Sequence, residues 1–336
     1  MKAWKITAPT TLKLCEEQSE SVGEGNVKIR VNKCVVSKPD AQTYRSPKTD
    51  YSVSPIGTCV GMVVEAGEGV SLTRGNRVFV RPQHYCGECS ACRSANYACC
   101  ENVEYYGITR DGFARDFAVV SESDCALLPD RVDDDSAVFL DFIAIATQAM
   151  TASGVKKGEH LVISGASTLG IILGQVALHY QVVPILIDIN DDYLEMGKQL
   201  GIYYTINSKK QNPAQKIFHL TGGKMAECVA HISSGEVPLT DSIKCAGKGG
   251  KIVVVGRYGG DYNLDCSLIP LIENGLTVLG VGSAGKNTQI AINMLANKAV
   301  NVAPLVAGKV LFDDIPSLFA EASESPDHLK TIVEIK

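Results

Sequence analysis

Short runs of apolar and β-branched residues with partial alternation occupy the first part of the chain. They cover residues 27–36, 61–65, 77–81 and 113–120. Alternation with a period of two residues is typical of half-buried β-strands. Turn-forming residues separate the runs, as in Gly67-Glu68-Gly69 and Arg74-Gly75-Asn76. The pattern from residue 1 to about residue 129 therefore predicts an all-β module.

The pattern changes after Pro129. Three aspartates at 133–135 precede an apolar helical stretch, and acids are favoured at a helix N-terminus by the helix dipole. Strands are then predicted at 160–164, 184–188, 227–231, 251–256 and 276–280, and helices at 169–180, 192–200 and 288–297. This alternation predicts a parallel sheet covered by helices on both faces. The tail from residue 303 mixes both types, and we expect it to return to the first module.

Composition narrows the possible partners and location. The 336 residues are 45 % hydrophobic and 21 % charged, which fits a globular protein of about two domains. The net charge of −5, with mixed signs, offers no basic surface for nucleic acid or an anionic membrane. The N-terminal residues lack the apolar core of a secretory signal, and the apolar stretch 137–150 is too short to span a bilayer. The chain also has twelve cysteines and no predicted secretory signal, so we expect a protein of the reducing cytoplasm. We expect its substrate to be a small molecule.

Five of the cysteines fall within residues 86–100. Cys86, Cys89 and Cys92 form C-x2-C-x2-C, and Cys99 or Cys100 follows as a fourth. Four thiolates at such spacing can close a tetrahedral shell on zinc, although a disulfide knot or chance clustering would also be consistent with the spacing. We predict a structural zinc on Cys86, Cys89, Cys92 and Cys100. Four sulfurs leave no open coordination position, so this ion would do no chemistry.

A second motif lies between a predicted strand and a predicted helix. Gly165-Ala166-Ser167-Thr168-Leu169-Gly170 is similar to G-x-G-x-x-G, with Ser167 at the second glycine position, where it is expected to crowd a phosphate. The first glycine permits the turn, the helix N-terminus receives a pyrophosphate, and the last glycine lets helix and strand pack closely. Asp188 ends the next strand and Asn190 follows; an acid there accepts ribose hydroxyls and repels a 2′-phosphate. We predict NAD(H) rather than NADP(H), the alternative being a βα turn that binds no nucleotide.

A β module with a four-cysteine lobe, followed by such a unit, resembles the zinc-containing medium-chain alcohol dehydrogenases, with polyol and sorbitol dehydrogenases as the branch that looks closest. GMVVEAG at 61–67, DGFA at 111–114 and GGKIVVVG at 249–256 carry the resemblance. It implies an α/β fold: a GroES-like β-barrel-type catalytic domain at 1–145 with the zinc lobe at 84–101, a doubly wound Rossmann domain at 146–285, and a C-terminal segment at 286–336 that returns to the catalytic domain. It also implies an active-site cleft, a homodimer or homotetramer, and cofactor contacts from Gly256 and Lys38.

The chain departs from the family at the catalytic zinc. Where the family has C-G-[ST]-D-x-H, this chain has Ser37-Lys38-Pro39-Asp40-Ala41-Gln42, and where it has G-H-E-x-x-G, this chain has Ile56-Gly57-Thr58-Cys59-Val60-Gly61. Of the three usual ligand positions, only Asp141 keeps a plausible ligand. Because catalytic zinc needs about three protein ligands, we predict that it is absent.

A displaced site is the alternative, with Asp141 and either Cys59 or Cys34 as ligands. Cys34 is the poorer candidate, because it lies three residues before Ser37 and should point to the opposite face of its strand.

Without zinc, hydrogen-bond donors or a general acid must manage the proton of the reaction. Asp141 is either an acid–base residue or a relict, Ser37 is a further candidate, and Asp40 suits a structural or capping role. Lys38 either contacts the pyrophosphate or is a solvated surface residue. Other possible proton donors are Tyr44, Tyr51 and His84.

Three functions fit these residues. The first is a zinc-independent NAD(H) oxidoreductase of an alcohol–carbonyl pair, with a polyol-like substrate. The second is a reductase of a conjugated C=C bond, a reaction that does not require a Lewis-acid metal. The third is a dinucleotide-binding protein without catalysis.

Overall fold

A computed structural model describes residues 1–18, 20–45, 52–232, 238–256, 268–324 and 329–335. The chain divides into two compact units. The first comprises Met1–Asp141 and Leu305–Lys336, and the second comprises Phe142–Pro304. Within the described residues no helix is both long and apolar enough to cross a membrane.

The regular elements follow in chain order. The strands are β1 (Lys2–Ala8), β2 (Thr11–Glu16), β3 (Asn26–Val35), β4 (Cys59–Ala66), β5 (Arg77–Val80), β6 (Gln83–His84), β7 (Glu104–Tyr105), β8 (Phe117–Ser121), β9 (Cys125–Leu127), β10 (His160–Ser164), β11 (Val183–Asp188), β12 (Tyr204–Asn207), β13 (Ala226–His231), β14 (Ala246–Val255), β15 (Thr277–Val281), β16 (Val306–Leu311) and β17 (Lys330–Glu334). The helices are α1 (Lys38–Arg45), α2 (Ser90–Arg93), α3 (Asp134–Ala137), α4 (Leu140–Ser153), α5 (Thr168–His179), α6 (Asp191–Gln199), α7 (Pro213–Leu220), α8 (Leu239–Ile243), α9 (Ile269–Glu273), α10 (Thr288–Ala296) and α11 (Ile315–Glu324). Short 3-10 turns lie at Tyr97–Cys99, Glu122–Asp124, Ala303–Leu305 and Phe312–Asp314.

A seven-stranded sheet forms the first unit. Its order is β16-β17-β3-β4-β5-β9, and β8 also pairs with β3. The tail returns to this unit, because β17 lies antiparallel to β3 with Ile332 opposite Val35. Alternate side chains of β3 point inward, and Ile29, Phe113 and Phe319 are fully buried in the core they share.

A six-stranded parallel sheet forms the second unit. Its order is β12-β11-β10-β13-β14-β15, as predicted for a doubly wound domain. The strand order reverses between β10 and β13, and in such sheets ligands bind outside the carboxyl ends of the strands at this point. The loop after β10 is the glycine-rich segment identified in the sequence.

Two segments begin at other residues than the sequence predicted. The strand expected to start at residue 113 starts at Phe117, because the N–H groups of Phe113 and Ala114 instead bond to the carbonyls of Ile56 and Pro55. The returning segment begins at Leu305 and not at residue 286. The preceding stretch belongs to the second unit, where the Asn287 amide donates to Gln148 at 2.7 Å and the Gln175 amide donates to the Asn301 carbonyl at 3.1 Å.

Candidate functional site

The cysteine lobe brings four sulfurs together. The Sγ atoms of Cys86, Cys89, Cys92 and Cys100 lie within 4.8 Å of one another, and within the described ranges this is the only group of three or more potential metal-ligating side chains. Sulfur separations of 3.6 Å (Cys86–Cys100) and 3.9 Å (Cys86–Cys92) match the spacing of about 3.8 Å in a tetrahedron with Zn–S bonds of about 2.3 Å. Cys99 is exposed and lies outside the group.

Backbone geometry prepares the lobe for a cation. The N–H groups of Cys89 and Glu88 lower the pKa of Cys86 to about 6, which favours the thiolate that binds metal. Cys89 caps α2, with its sulfur accepting the Cys92 N–H at 3.4 Å. The four residues therefore fit a closed structural zinc site that stabilises the fold of the cysteine lobe.

Ser37 and Gly57, at two of the family's catalytic-zinc positions, are both hydrogen-bonded to Asp40. The Ser37 N–H and hydroxyl donate to Asp40 Oδ2 at 2.8 and 2.5 Å, and the Gly57 N–H donates to Oδ1 at 3.0 Å. Asp40 is the third residue of α1 and is only 2 % exposed. It thus has the capping role suggested by the sequence, and it also ties α1 to the segment before β4.

The surroundings of Gly57 leave no room for a side chain. A Cβ atom there would lie 2.9 Å from the Tyr106 carbonyl oxygen and 3.3 Å from Pro82 Cβ. The preceding residue, Ile56, is fully buried with φ of +74°, a left-handed conformation that glycine favours and that β-branched residues avoid. Because Gly57 cannot carry a ligand and the Ser37 hydroxyl is engaged by Asp40, these residues do not fit a catalytic zinc.

The C-terminal tail adds a cation that sequence reasoning missed. Lys330, the first residue of β17, is 3 % exposed. Burial lowers the pKa of Lys330 to about 7, while the attraction of Asp40 opposes this shift and the repulsion of Lys38 adds to it. The only local signal was a lysine opening an apolar strand, Lys330-Thr331-Ile332-Val333.

Cys34 and Cys59 do not form part of a displaced metal site of three ligands within the described residues. They lie directly opposite each other on β3 and β4, so they project to the same side of the sheet. Both are fully buried, which raises their thiol pKa values and disfavours the thiolate. Asp141 is the second residue of α4, and its Oδ1 atom is buried.

Of the other proposed proton donors, Tyr44 and His84 have structural partners. The Tyr44 hydroxyl donates to the Thr10 carbonyl at 2.7 Å, and its ring packs on Phe319. His84 Nδ1 lies 2.8 Å from the buried carboxylate of Asp124. Tyr51 lies outside the described residues.

The glycine-rich loop has the geometry of a phosphate-binding turn. Gly165 has φ of +113°, and a Cβ on Gly170 would lie 1.9 Å from the Gly165 carbonyl oxygen, so both positions require glycine. Ser167 caps α5, with its hydroxyl accepting the Gly170 N–H at 3.4 Å. The Ser167 hydroxyl is thus occupied within the turn, Thr168 is buried, and Leu169 is half-buried.

Asp188 is bound to this loop through its carboxylate. It accepts the Ala166 N–H at 2.7 Å and the N–H groups of Ile189 and Asn190 at 2.7 and 2.9 Å. These three hydrogen bonds hold the Asp188 carboxylate beside the loop. The Asn190 side chain caps α6 by accepting the Asp192 N–H at 2.8 Å.

Two further candidate residues belong to other elements. Gly256 follows β14 with φ of +127°, and Lys38 starts α1 in the first unit. The positively charged residue Lys210 was not predicted from the sequence, and its Nζ atom lies 2.5 Å from Asp191 Oδ2.

Comparison with known proteins gives two matching families. A model described as "Alcohol dehydrogenase GroES-like domain" matches residues 23–130, and one described as "Zinc-binding dehydrogenase" matches residues 168–302. An uncharacterised zinc-type alcohol dehydrogenase-like protein of Haemophilus influenzae is 28 % identical over 98 % of this chain and 96 % of its own length. A sorbitol dehydrogenase of Halalkalibacterium halodurans is 27 % identical over 87 % of this chain and 86 % of its own. A zinc-binding dehydrogenase structure from Sinorhizobium meliloti, bound to NADP, superposes with a TM-score of 0.91 at 20 % identity, covering 99 % of this chain and 98 % of that one.

Proposed function

Because the chain belongs to the zinc-type medium-chain alcohol dehydrogenases, we propose that it transfers hydride between NAD(H) and an alcohol–carbonyl pair without a catalytic zinc. The observation that supports this most directly is the closed space at Gly57, where a Cβ would meet the Tyr106 carbonyl oxygen at 2.9 Å. A ligand there would require the backbone to move. The sorbitol dehydrogenase among the relatives supports a polyol-like substrate.

The second unit holds the cofactor in this proposal. A bound nicotinamide supplies or accepts the hydride. The loop from Gly165 to Gly170 receives the pyrophosphate at the N-terminus of α5, and Asp188 binds the ribose hydroxyls. The buried charge of Asp188 disfavours the 2′-phosphate of NADP(H), so we propose NAD(H) as the preferred cofactor.

The first unit handles the substrate oxygen. Without a Lewis acid, charge that develops on this oxygen must be met by hydrogen bonds or proton transfer. Ser37, Asp40 and Asp141 are the candidates in this unit.

A second candidate function is the reduction of a conjugated C=C bond. The same replacement of Ser37 and Gly57 favours it, because hydride addition to the β-carbon of an enone does not require a metal on the carbonyl. The two functions share the cofactor site and differ only in the acceptor.

A substrate screen tests these proposals. NADH oxidation is followed with ketoses, aldehydes and enones in turn, and NAD⁺ reduction with polyols, using protein whose metal content has been measured. Turnover of ketoses or polyols supports the first function, whereas turnover of enones alone would replace it with the second. Failure to bind either nicotinamide cofactor in a fluorescence titration would contradict both.

We also propose a homo-oligomer of the reducing cytoplasm. The described cysteines are all free, which fits that compartment. β15 lies at the edge of the parallel sheet, and Ile269, Ile272 and Val278 near it are 60, 77 and 41 % exposed. A second copy that continues the sheet at β15 would cover them. Analytical ultracentrifugation of the wild type and Ile272→Lys tests this; a monomeric wild type contradicts it.

A further inference from the structure

The contact between Ser37 and Asp40 has an ordinary explanation as a helix cap. Ser37 immediately precedes α1, and an acid three residues later bonds to its N–H, as in a capping box. Such acids normally lie at the surface, where they keep their hydration. Asp40 is instead 2 % exposed, and its second oxygen accepts the N–H of Gly57, 17 residues along the chain.

The burial of Asp40 is also unexplained by capping. Removing a carboxylate from water costs free energy that its hydrogen-bond partners must offset. The partners of Asp40 are Ser37 and Gly57, which lie at two of the positions where the family binds a metal cation. This placement indicates a role in the reaction.

The direction of the Ser37 hydrogen bond defines that role. An ionised carboxylate only accepts hydrogen bonds, so the single proton of the Ser37 hydroxyl points to Asp40. The oxygen lone pairs of Ser37 therefore remain to accept a hydrogen bond from another molecule. Ser37 is half-buried, whereas Asp40 and Lys330 are buried. Of these three residues, Ser37 is therefore the one that a substrate can reach.

We propose that Ser37 is a catalytic residue that accepts the substrate hydroxyl proton and relays its own proton to Asp40. This rests on the proposed function. In oxidation the substrate O–H bond breaks as a new Ser37 O–H bond forms, the former Ser37 proton moves to Asp40, and the substrate C–H hydride passes to NAD⁺. Asp40 returns its proton to solvent through Ser37 after the product leaves. Reduction follows the same path in reverse.

Steady-state kinetics with the best alcohol found in the screen test the relay. Proton transfer by a positioned group contributes about 10²–10⁴-fold to rates, so Ser37→Ala and Asp40→Asn should each lower kcat by about 100-fold or more. The double variant should be no slower than the worse single variant, since the two residues act in one step. Ser37→Thr keeps a hydroxyl and should retain most of kcat.

Ser71→Ala is the matched control, because Ser71 also donates its hydroxyl to a carboxylate, that of Glu122 at 2.6 Å, but at an exposed site. It should keep the wild-type kcat. Melting temperature and NADH affinity are measured for the same variants to separate capping from catalysis. If Ser37 were a cap alone, Ser37→Ala would lower the melting temperature and leave kcat unchanged.

A wild type that oxidises alcohols while Ser37→Ala and Asp40→Asn keep kcat within about threefold would overturn the relay and leave the proposed function intact. A wild type that turns over no alcohol or carbonyl would overturn both.

Discussion

The closed space at Gly57 leads to a quantitative stability prediction. Replacing Gly57 with alanine puts a Cβ 2.9 Å from the Tyr106 carbonyl oxygen, a backbone atom that cannot rotate away. Overpacking of this kind costs about 1–3 kcal/mol. The loss of backbone freedom in the unfolded chain returns about 0.4–1 kcal/mol. We therefore expect Gly57→Ala to lower the free energy of unfolding by about 1–2 kcal/mol.

Gly308 supplies the control. It lies in β16 of the same unit, and a Cβ there would have nothing within 4 Å, so Gly308→Ala should be neutral or stabilising by up to about 1 kcal/mol. Urea denaturation followed by fluorescence measures both variants. The chain has one tryptophan, Trp4, whose indole N–H bonds to the Phe312 carbonyl at 2.9 Å, so the signal reports on the first unit.

Substitutions at the same site also test whether it can bind a catalytic zinc. The double variant Ser37→Cys with Gly57→His restores the family's two ligand types, but the histidine has no space, so we expect an unstable protein that binds no additional zinc. A Gly57→Ala variant as stable as the wild type would show that the space at Gly57 is not closed. A double variant that folded and bound a second zinc ion would show the same.

Three other predictions concern separate parts of the molecule. Cys100→Ser should lose the lobe zinc in metal analysis and melt at a lower temperature, whereas Cys99→Ser should retain it; equal zinc loss in both would contradict the ligand set. Lys330 binds a proton less tightly in the folded chain than in the unfolded chain, where lysines have pKa values near 10.4. The free energy of unfolding of the wild type, relative to that of Lys330→Met, should therefore rise by a few kcal/mol between about pH 7 and pH 10.5. Parallel pH–stability curves of the two proteins would contradict this. Asp188→Ala removes charged hydrogen bonds worth about 1.5–3 kcal/mol each, so NADH affinity by fluorescence titration should fall about 10-fold or more and the preference over NADPH should shrink; an unchanged preference would reject Asp188 as the selecting group.

Features with a local cause could be predicted from the sequence. The cysteine spacing indicated the four residues whose sulfurs converge, because all four belong to one short lobe. The glycine positions at 165 and 170 followed from the turn that they form. The parallel sheet followed from alternating strands and helices, although β12 was missed, because its four residues are too short for a periodic signal.

Features with a long-range cause could not be predicted. The clash that closes Gly57 comes from Tyr106, 49 residues later, and depends on how β7 is placed. Lys330 comes under the electrostatic attraction of Asp40 only because the tail adds β17 to the sheet beside β3. In each case the residue type was visible, but its partner was not.

Metal analysis of the active, purified protein is the most direct test of whether the chain works without a catalytic zinc. Zinc is counted per chain by mass spectrometry, and turnover is measured before and after treatment with a chelator that spares the cysteine lobe. We predict one zinc ion per chain and turnover that does not change with the chelator. Two zinc ions per chain, with turnover lost as the second is removed and restored when it is returned, would contradict a mechanism built on Ser37 and Asp40.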